Sequence, residues 1–154
     1  MNANYTNGQF KKSISNCRVS YKNTLELINS INNMNLLKAE NKIKSVMAKQ
    51  SCVIFKKFNS GIGRKSSAKH NKYGLNQGRF PVKSCKILMK LITNLKKELD
   101  INKEDPKLFY INCLRINKVK KIKRKIFRAF GRINSITSSV CSIHLSISGY
   151  HAIT

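Results

Sequence analysis

The sequence predicts an α+β fold, and three observations carry this prediction. Three segments place apolar residues at helical spacing, so that each presents one apolar stripe to a core. Other segments alternate apolar and polar residues or are rich in β-branched residues, which is typical of strands. The length of 154 residues suits one domain, and the 41% apolar content is enough to bury a core.

Two short elements are predicted near the N-terminus. Residues 1–16 are polar, Asn-rich and basic, so we expect a flexible basic leader. Residues 17–21 alternate apolar and polar side chains, as a short half-buried strand does. Asn23 is a suitable cap for a following helix, with Glu26 at the N3 position of a capping-box variant.

Two longer helices are predicted next. The second helix starts at Asn35, and helical spacing relates its apolar residues Leu36, Ala39, Ile43, Val46 and Met47. The third starts near Pro81, which suits a first helical turn, and has the clearest stripe, formed by Cys85, Leu88, Met89, Ile92, Leu95 and Leu99. The basic, turn-rich residues 56–79 between them are too many for an ordinary connection, and such loops usually have a function or a partner.

The last third of the sequence predicts two strands with a strongly basic segment between them. Residues 108–116 are mostly apolar and β-branched, and residues 141–148 alternate cleanly. Residues 118–134 contain no acid and eight cations, which are Lys118, Lys120, Lys121, Lys123, Arg124, Lys125, Arg128 and Arg132. A tight turn needs far fewer residues, so we expect a protruding hairpin that reaches about 25 Å from the core at about 3.3 Å per residue.

The charge balance indicates a polyanionic partner. The net charge is +25, from 31 Lys and Arg against 6 Asp and Glu, and none of the acids lies beyond Asp105. Self-repulsion at this charge disfavours a compact isolated state, so nucleic acid is the leading partner. Phe127 and Phe130 would be wet aromatic surface on a solvated hairpin, whereas against RNA they stack on bases while the cations meet phosphates. RNA contact is therefore favoured over a purely solvated basic face.

Other classes of function find less support. No run approaches the roughly 18 to 20 apolar residues of a membrane span, and residues 1–12 lack the apolar segment of a signal peptide, so we expect a cytosolic protein. The 5 cysteines show no paired spacing, which favours buried reduced thiols over zinc ligands or disulfides. No motif for a nucleophile, a general acid or base, a metal or a cofactor is present, so we predict a protein that is not an enzyme.

Residues 124–134 (RKIFRAFGRIN) form a specific motif, and other landmarks stand in matching order: VSYKNT from Val19, GIGR from Gly61, QGRFPVKS from Gln77 and INK from Ile116. Together these runs resemble the family of the universal large-subunit ribosomal protein that is numbered twenty-two in bacteria and seventeen in eukaryotes. The resemblance covers about residues 17–148, and the long stretch between Gly61 and Pro81 is similar to the eukaryotic and archaeal form. Phe127 and Phe130 stand where the family usually has Tyr and His.

The resemblance implies a structural constituent of the large subunit of a cytosolic eukaryotic ribosome, with a small sheet, three helices and a long hairpin. It implies three partners: large-subunit ribosomal RNA, neighbouring large-subunit proteins and, at the hairpin tip, the nascent peptide in the exit tunnel. The residues expected to bind RNA are Arg18, Lys22, Arg64, Lys65, Arg79, Lys83, Lys118, Lys120, Lys121, Lys123, Arg124, Lys125, Arg128 and Arg132. The residues expected to line the tunnel are Lys125, Ile126, Phe127, Arg128, Ala129 and Phe130.

We therefore predict one α+β domain over residues 17–148, in which a three-stranded antiparallel sheet packs with three helices. A long basic β-hairpin protrudes from it at residues 118–134, and residues 149–154 form a short tail. The alternative is a free-standing basic nucleic-acid-binding or regulatory protein. Double-stranded DNA would satisfy the charge equally well, but the helices show core faces rather than a recognition helix.

Overall fold

Three helices pack on one face of a three-stranded antiparallel sheet. The computed structural model describes residues 5–69 and 73–152. In chain order the elements are β1 (Tyr5–Cys17), α1 (Tyr21–Ile31), α2 (Leu36–Met47), β2 (Val53–Ile54), β3 (Gly78–Arg79), α3 (Val82–Ile101), β4 (Phe109–Phe127) and β5 (Ile133–Ala152). The order in the sheet is β1-β5-β4, so β5 is central and pairs antiparallel with both neighbours. The predicted α+β class is confirmed.

The core lies between the helices and the inner face of the sheet. On β5 the side chains of Ile143, Leu145 and Ile147 are buried, while the intervening residues are less so. The helix stripes meet this face, with Leu88 of α3 and Ile43 of α2 fully buried. Each such aliphatic side chain contributes about 1.5–3 kcal/mol when it leaves water, so the stripes stabilise the fold and set its layers.

The starts of α2 and α3 agree with the sequence, whereas the start of α1 does not. The side chain of Asn35 accepts a hydrogen bond from the Leu37 amide at 3.0 Å and caps α2. Pro81 directly precedes α3. The predicted capping box at Glu26 is wrong, because α1 begins at Tyr21 and Glu26 lies in its second turn.

Glu26 has a different task in the fold. Its side chain is only 1% exposed, and its two carboxylate oxygens accept hydrogen bonds from the backbone amides of Lys56 at 3.2 Å and Lys57 at 3.0 Å. A buried carboxylate is tolerated where donors satisfy it. Glu26 therefore anchors the start of the long basic loop to α1.

The structure corrects the predicted start of the sheet. Residues 5–16 do not form a loose leader, because β1 pairs with β5 from Tyr5↔Ala152 to Cys17↔Cys141. Its inner face carries Phe10 and Ile14, and the ring of Phe10 packs edge-on against Phe109 at 5.8 Å between centroids. Lys12 lies between them and pairs with Glu98 of α3 at 3.1 Å. Residues 1–4 of the predicted leader lie outside the described residues.

At the C-terminal end, too, the strands are longer than the sequence predicted. Residues 149–152 belong to β5 rather than to a tail, and residues 153–154 lie outside the described part. Pairing of β4 with β5 continues from Lys118↔Cys141 to Phe127↔Ile133, so the second leg of the hairpin runs to residue 140 instead of ending at 134. We call residues 118–140 the arm and the rest of the described chain the body.

The long loop contains little regular structure. β2 and β3 pair with each other at its two ends, and a short 3-10 helix covers Ser66–Ala68. His70 lies outside the described residues.

Among the residues described, no helix has the length and apolar character needed to cross a bilayer. All five cysteines are free thiols, and Cys17, Cys85 and Cys141 are buried; burial raises the pKa of Cys85 to about 11.

Candidate nucleic-acid interface

Charge is distributed unevenly between the body and the arm. In the body, Glu40 of α2 pairs with Lys44 of the same helix and with Lys96 of α3, and Lys12 pairs with Glu98. These hydrogen bonds, first from Lys44 and then from Lys96, hold the pKa of Glu40 below its ordinary value. Within residues 5–69 and 73–152 no cation of the arm has an ion pair. Carboxylates of the described residues therefore leave the charge of the arm unpaired.

The cations of the arm lie on one leg and on the turn. The second leg, residues 133–140, contains only uncharged residues. Three lysines therefore each stand opposite a hydroxyl residue in the strand pair: Lys121 opposite Ser139, Lys123 opposite Thr137 and Lys125 opposite Ser135. Like charges directly opposite each other destabilise a strand pair, and this arrangement avoids them.

Strand alternation gives the arm two faces. Lys121, Lys123 and Lys125 follow each other at every second position and point to one face. Ile122, Arg124 and Ile126 point to the other, where Arg124 stands opposite Ile136. One face thus presents ammonium groups, and the other presents aliphatic groups around one guanidinium.

The turn of the arm exposes two aromatic rings. The Arg128 amide donates to the Arg132 carbonyl at 2.8 Å, and Phe130 and Gly131 both have positive φ, at 59° and 66°. Gly131 tolerates this conformation, whereas for Phe130 it costs about 1–2 kcal/mol. The rings of Phe127 and Phe130 are 77% and 96% exposed. No body contact accounts for these rings, which have the shape and exposure needed to stack on bases.

A cavity of about 400 Å³ lies where the arm meets the body. Its apolar lining comes from the first turn of α1, the long loop and both legs of the arm, as Tyr21, Phe58, Val119 and Val140. Its polar lining consists of two hydroxyls and four cations, as Ser20, Ser139, Lys22, Lys118, Lys120 and Lys121. The Ser139 hydroxyl donates to the Val19 carbonyl at 2.7 Å and ties the base of the arm to the start of α1.

Two cations of this cavity lie over its aromatic rings. The Lys118 ammonium is 4.5 Å from the centroid of Tyr21, and the Lys22 ammonium is 5.3 Å from the centroid of Phe58. Arg18 is close by and donates to the Ser138 hydroxyl at 3.3 Å. The structure thus brings the predicted residues Arg18, Lys22, Lys118, Lys120 and Lys121 together at the base of the arm.

The remaining predicted cations lie on the body or near the turn. The backbone of Arg64 forms an isolated β-bridge with Gln77, and the Lys65 amide donates to the Asn76 carbonyl at 2.9 Å. Arg64 and Lys65 therefore lie beside the strand that ends in Arg79. Lys83 follows in the first turn of α3. All predicted RNA-binding residues are exposed, which are Arg18, Lys22, Arg64, Lys65, Arg79, Lys83 and the eight cations of the arm.

Sequence reasoning missed the aromatic part of the cavity. Tyr21 belongs to the VSYKNT run and Phe58 to the basic loop, but no spacing in the sequence indicates that these two rings line one cavity. It also missed Arg115 and His144, which line a second cavity of about 460 Å³ together with Lys11 of β1. The position of this second cavity depends on β1, which the sequence did not predict.

Comparison with known proteins identifies relatives of this chain. The family model described as Ribosomal protein L22p/L17e matches residues 13–148. A protein of Anopheles gambiae named large ribosomal subunit protein uL22 is 40% identical over 133 residues, which cover 86% of this chain and 70% of that protein. Proteins of the same name from Ixodes scapularis and Bombyx mori are 40% and 37% identical over 134 residues, 87% of this chain and 71% of each protein.

The match covers the three helices, the long loop and the whole arm, but only the last residues of β1, and the predicted resemblance is confirmed. These relatives are eukaryotic, as the long loop indicated. The chain therefore belongs to the ribosomal protein L22p/L17e family, whose members are structural proteins of the large ribosomal subunit and not enzymes.

Proposed function

We propose that this chain binds ribosomal RNA in the large subunit of the cytosolic ribosome and that its arm threads between RNA domains. The tip of the arm then lines the nascent-peptide exit tunnel. The mechanism is electrostatic and mechanical: the body docks on folded RNA, and the cations of the arm neutralise phosphates that would otherwise repel each other. Family membership supports the ribosomal location of this function.

One observation carries the proposal: the arm has eight cations, no acid and two solvent-exposed phenyl rings. An arm of this kind gains little from folding on its own, because almost none of its side chains is buried. Against RNA each cation meets a phosphate and each ring meets a base, so the partner supplies the stabilisation that the body does not.

The RNA-binding residues proposed are those that the sequence indicated: Arg18, Lys22, Arg64, Lys65, Arg79, Lys83, Lys118, Lys120, Lys121, Lys123, Arg124, Lys125, Arg128 and Arg132. The tunnel-lining residues proposed are Lys125, Ile126, Phe127, Arg128, Ala129 and Phe130. The turn at residues 128–132 supports this division, because it puts the two exposed rings at the end of the arm farthest from the body. Neighbouring large-subunit proteins are the further partners expected.

A density map of purified large subunits tests the proposal directly. We expect the arm to be enclosed by RNA along both faces, with Phe130 at a tunnel wall. An arm that lies in open solvent within the particle would contradict the proposal. Sucrose-gradient fractionation at high salt separates it from the alternative, because co-migration with large subunits supports it and release to the soluble fraction favours a free-standing nucleic-acid-binding protein.

A further inference from the structure

We propose that the cavity at the base of the arm holds one unstacked RNA base, with the flanking phosphates on its ring of lysines. This inference rests on the proposed function and deepens it, since it names the part of the RNA that the site takes. The cavity differs from the rest of the interface because it combines depth, aromatic lining and charge at one place. The exposed faces of the arm offer charge and flat contact but no enclosure.

The lining fits a flat apolar group. Tyr21 and Phe58 are packed against the core, so their rings are held in place, and Val140 is buried beside them. A cavity of about 400 Å³ lies within the range of about 300–1,000 Å³ that is usual for small-ligand sites. A single base is among the groups that such a site can enclose between aromatic and aliphatic side chains.

The charges around the cavity fit the phosphates of that nucleotide. Lys22, Lys118, Lys120 and Lys121 line it, and no carboxylate is among the lining residues described. Two of these ammonium groups rest on the aromatic rings, at 4.5 Å and 5.3 Å from the centroids. Such contacts are worth only about 0.5–1 kcal/mol at exposed sites, so the lysines can leave the rings for phosphates when a base enters.

A β-bulge gives the cavity its shape. Lys118 pairs with Cys141 and Lys121 pairs with Ser139, so Val119 and Lys120 together stand opposite Val140. A bulge re-aims side chains and is common beside functional sites. Here it interrupts the alternation of the arm, and both Val119 and Lys120 line the cavity. The side chain of Val119 is nevertheless 47% exposed, which leaves an apolar contact without a partner.

Hydroxyl groups at the cavity can read the edge of the base. Ser20 precedes α1 but its side chain makes no capping hydrogen bond to the helix. Ser139 donates its proton to Val19 and keeps an oxygen that can accept. Phosphate and aromatic contacts dominate this site, so we expect a base to be required and its identity to matter less.

The test compares two labelled RNA hairpins of equal charge, one with a single bulged adenosine and one with an abasic ribose at that bulge. The full-length chain is titrated against each, and anisotropy gives the two dissociation constants. We expect the chain to prefer the bulged adenosine by about tenfold, because stacking on an aromatic side chain contributes at this level. The abasic hairpin keeps every phosphate, so the ratio reports the base alone.

Two variants locate the effect. Phe58→Leu removes a ring, and Val119→Trp fills the cavity from an exposed position; each should bring the ratio close to one while affinity for the abasic hairpin stays near wild type. Ile101→Trp is the matched control, since it adds the same ring at an exposed position at the end of α3, and it should keep the tenfold preference. Thermal unfolding verifies that each variant is folded.

The remaining outcomes overturn the inference in distinguishable ways. Tight binding of both hairpins with a ratio of one would overturn the base pocket and leave RNA binding by the arm intact. Failure to bind either hairpin at low salt would overturn the proposed function as well. Binding of a Phe-containing polyglutamate peptide that Val119→Trp abolishes, without any preference for the base, would assign the cavity to a protein partner instead.

Discussion

The body and the arm use the same β4 and β5 strands but are stabilised in opposite ways. In the body, every second residue of β5 from Cys141 to Ile147 is buried under the helices. In the arm, β4 continues for ten residues from Lys118 to Phe127, and only Ile126 is partly covered. Strand pairing extends through both regions and shifts register once in each, so hydrogen bonding alone does not distinguish them. The difference lies in what covers the side chains.

This difference separates folding from assembly. Burial of apolar surface stabilises the body without a partner, whereas the charge of the arm disfavours compaction until a polyanion neutralises it. Substitutions in the body should therefore change the free energy of unfolding, and substitutions in the arm should change RNA affinity and ribosome assembly. Five experiments test this division, beginning with the largest expected effect.

Deletion of residues 119–133 should leave a folded body that assembles poorly. The deletion joins Lys118 to Asn134, and residues 134–140 then bridge to Cys141 as a loop. We expect occupancy of the tagged variant in large subunits to fall at least tenfold relative to the tagged full-length chain, measured by mass spectrometry of gradient fractions. The salt slope of RNA binding should fall by about 5 to 6, since seven cations are lost. Wild-type occupancy of the variant would contradict the role of the arm.

Leu88→Ala and Phe130→Ala should differ sharply in stability. Leu88 is fully buried in α3, and its truncation should cost about 2–5 kcal/mol of unfolding free energy because it leaves a cavity. Phe130 is almost fully exposed, and its truncation should stay within about 0.5 kcal/mol. Urea unfolding of both variants measures this contrast. Equal losses would mean that the turn of the arm packs on the body in solution.

Glu26→Ala should destabilise the body by about 2–3 kcal/mol. The substitution leaves the part-buried amides of Lys56 and Lys57 without their acceptor, which is costlier than the loss of an exposed contact. Glu26→Gln retains one acceptor oxygen and should lose less. Asp100→Ala, at an exposed position of α3, is the matched control and should be near neutral in the same urea experiment. A neutral Glu26→Ala would show that the long loop does not need this anchor.

Acid should weaken the contact between α2 and α3 through Glu40. Lys44 and Lys96 lower the pKa of Glu40 in the folded chain below the ordinary 4.5, so this carboxylate contributes stability above that pH. The contribution is lost as the pH falls through the lowered folded-state pKa. We expect Glu40→Gln to flatten the decline of stability below about pH 4.5, measured by urea unfolding at several pH values. An unchanged pH profile would mean that Glu40 has the same pKa in the folded and the unfolded chain.

Lys123→Gln should have the smallest effect, and it should change RNA binding but not the free energy of unfolding. Removal of one phosphate contact should reduce the slope of log K against log salt by about 0.7–0.9, with stability unchanged. Lys123→Arg keeps the charge and should keep the slope. Filter binding to ribosomal RNA across a salt series measures both, and a change in unfolding free energy would contradict the separation of body and arm.

The sequence predicts those elements whose side chains carry their own signal. The stripe of α3 is unbroken from Cys85 to Leu99, and the charges of the arm are local, so both are visible without a structure. β1 is not visible, because Lys12 stands on its inner face between Phe10 and Ile14 and breaks the alternation. Its partner Glu98 is distant in the chain, and pairing with β5 supplies the order that composition does not indicate.

Long-range contacts also explain what the sequence misses at the interface. Glu26 matches a capping pattern, yet its carboxylate accepts hydrogen bonds from two backbone amides of the long loop. The cavity at the base of the arm depends on a bulge and on two rings from separate segments. Residue type therefore predicts which residues carry charge, whereas tertiary packing decides which of them meet around one site.

β5 runs from the arm into the body without a break, so the two regions turn together. No linker separates its body half, which pairs with β1, from its arm half, so the direction of the arm follows the orientation of the body. About eight residues at about 3.3 Å each put the turn roughly 26 Å away, and a tilt of about 5° in the docked body moves it by about 2 Å. In the proposed complex, the position of the tip therefore depends on the orientation of the body, because a small error in that orientation grows with distance along the arm.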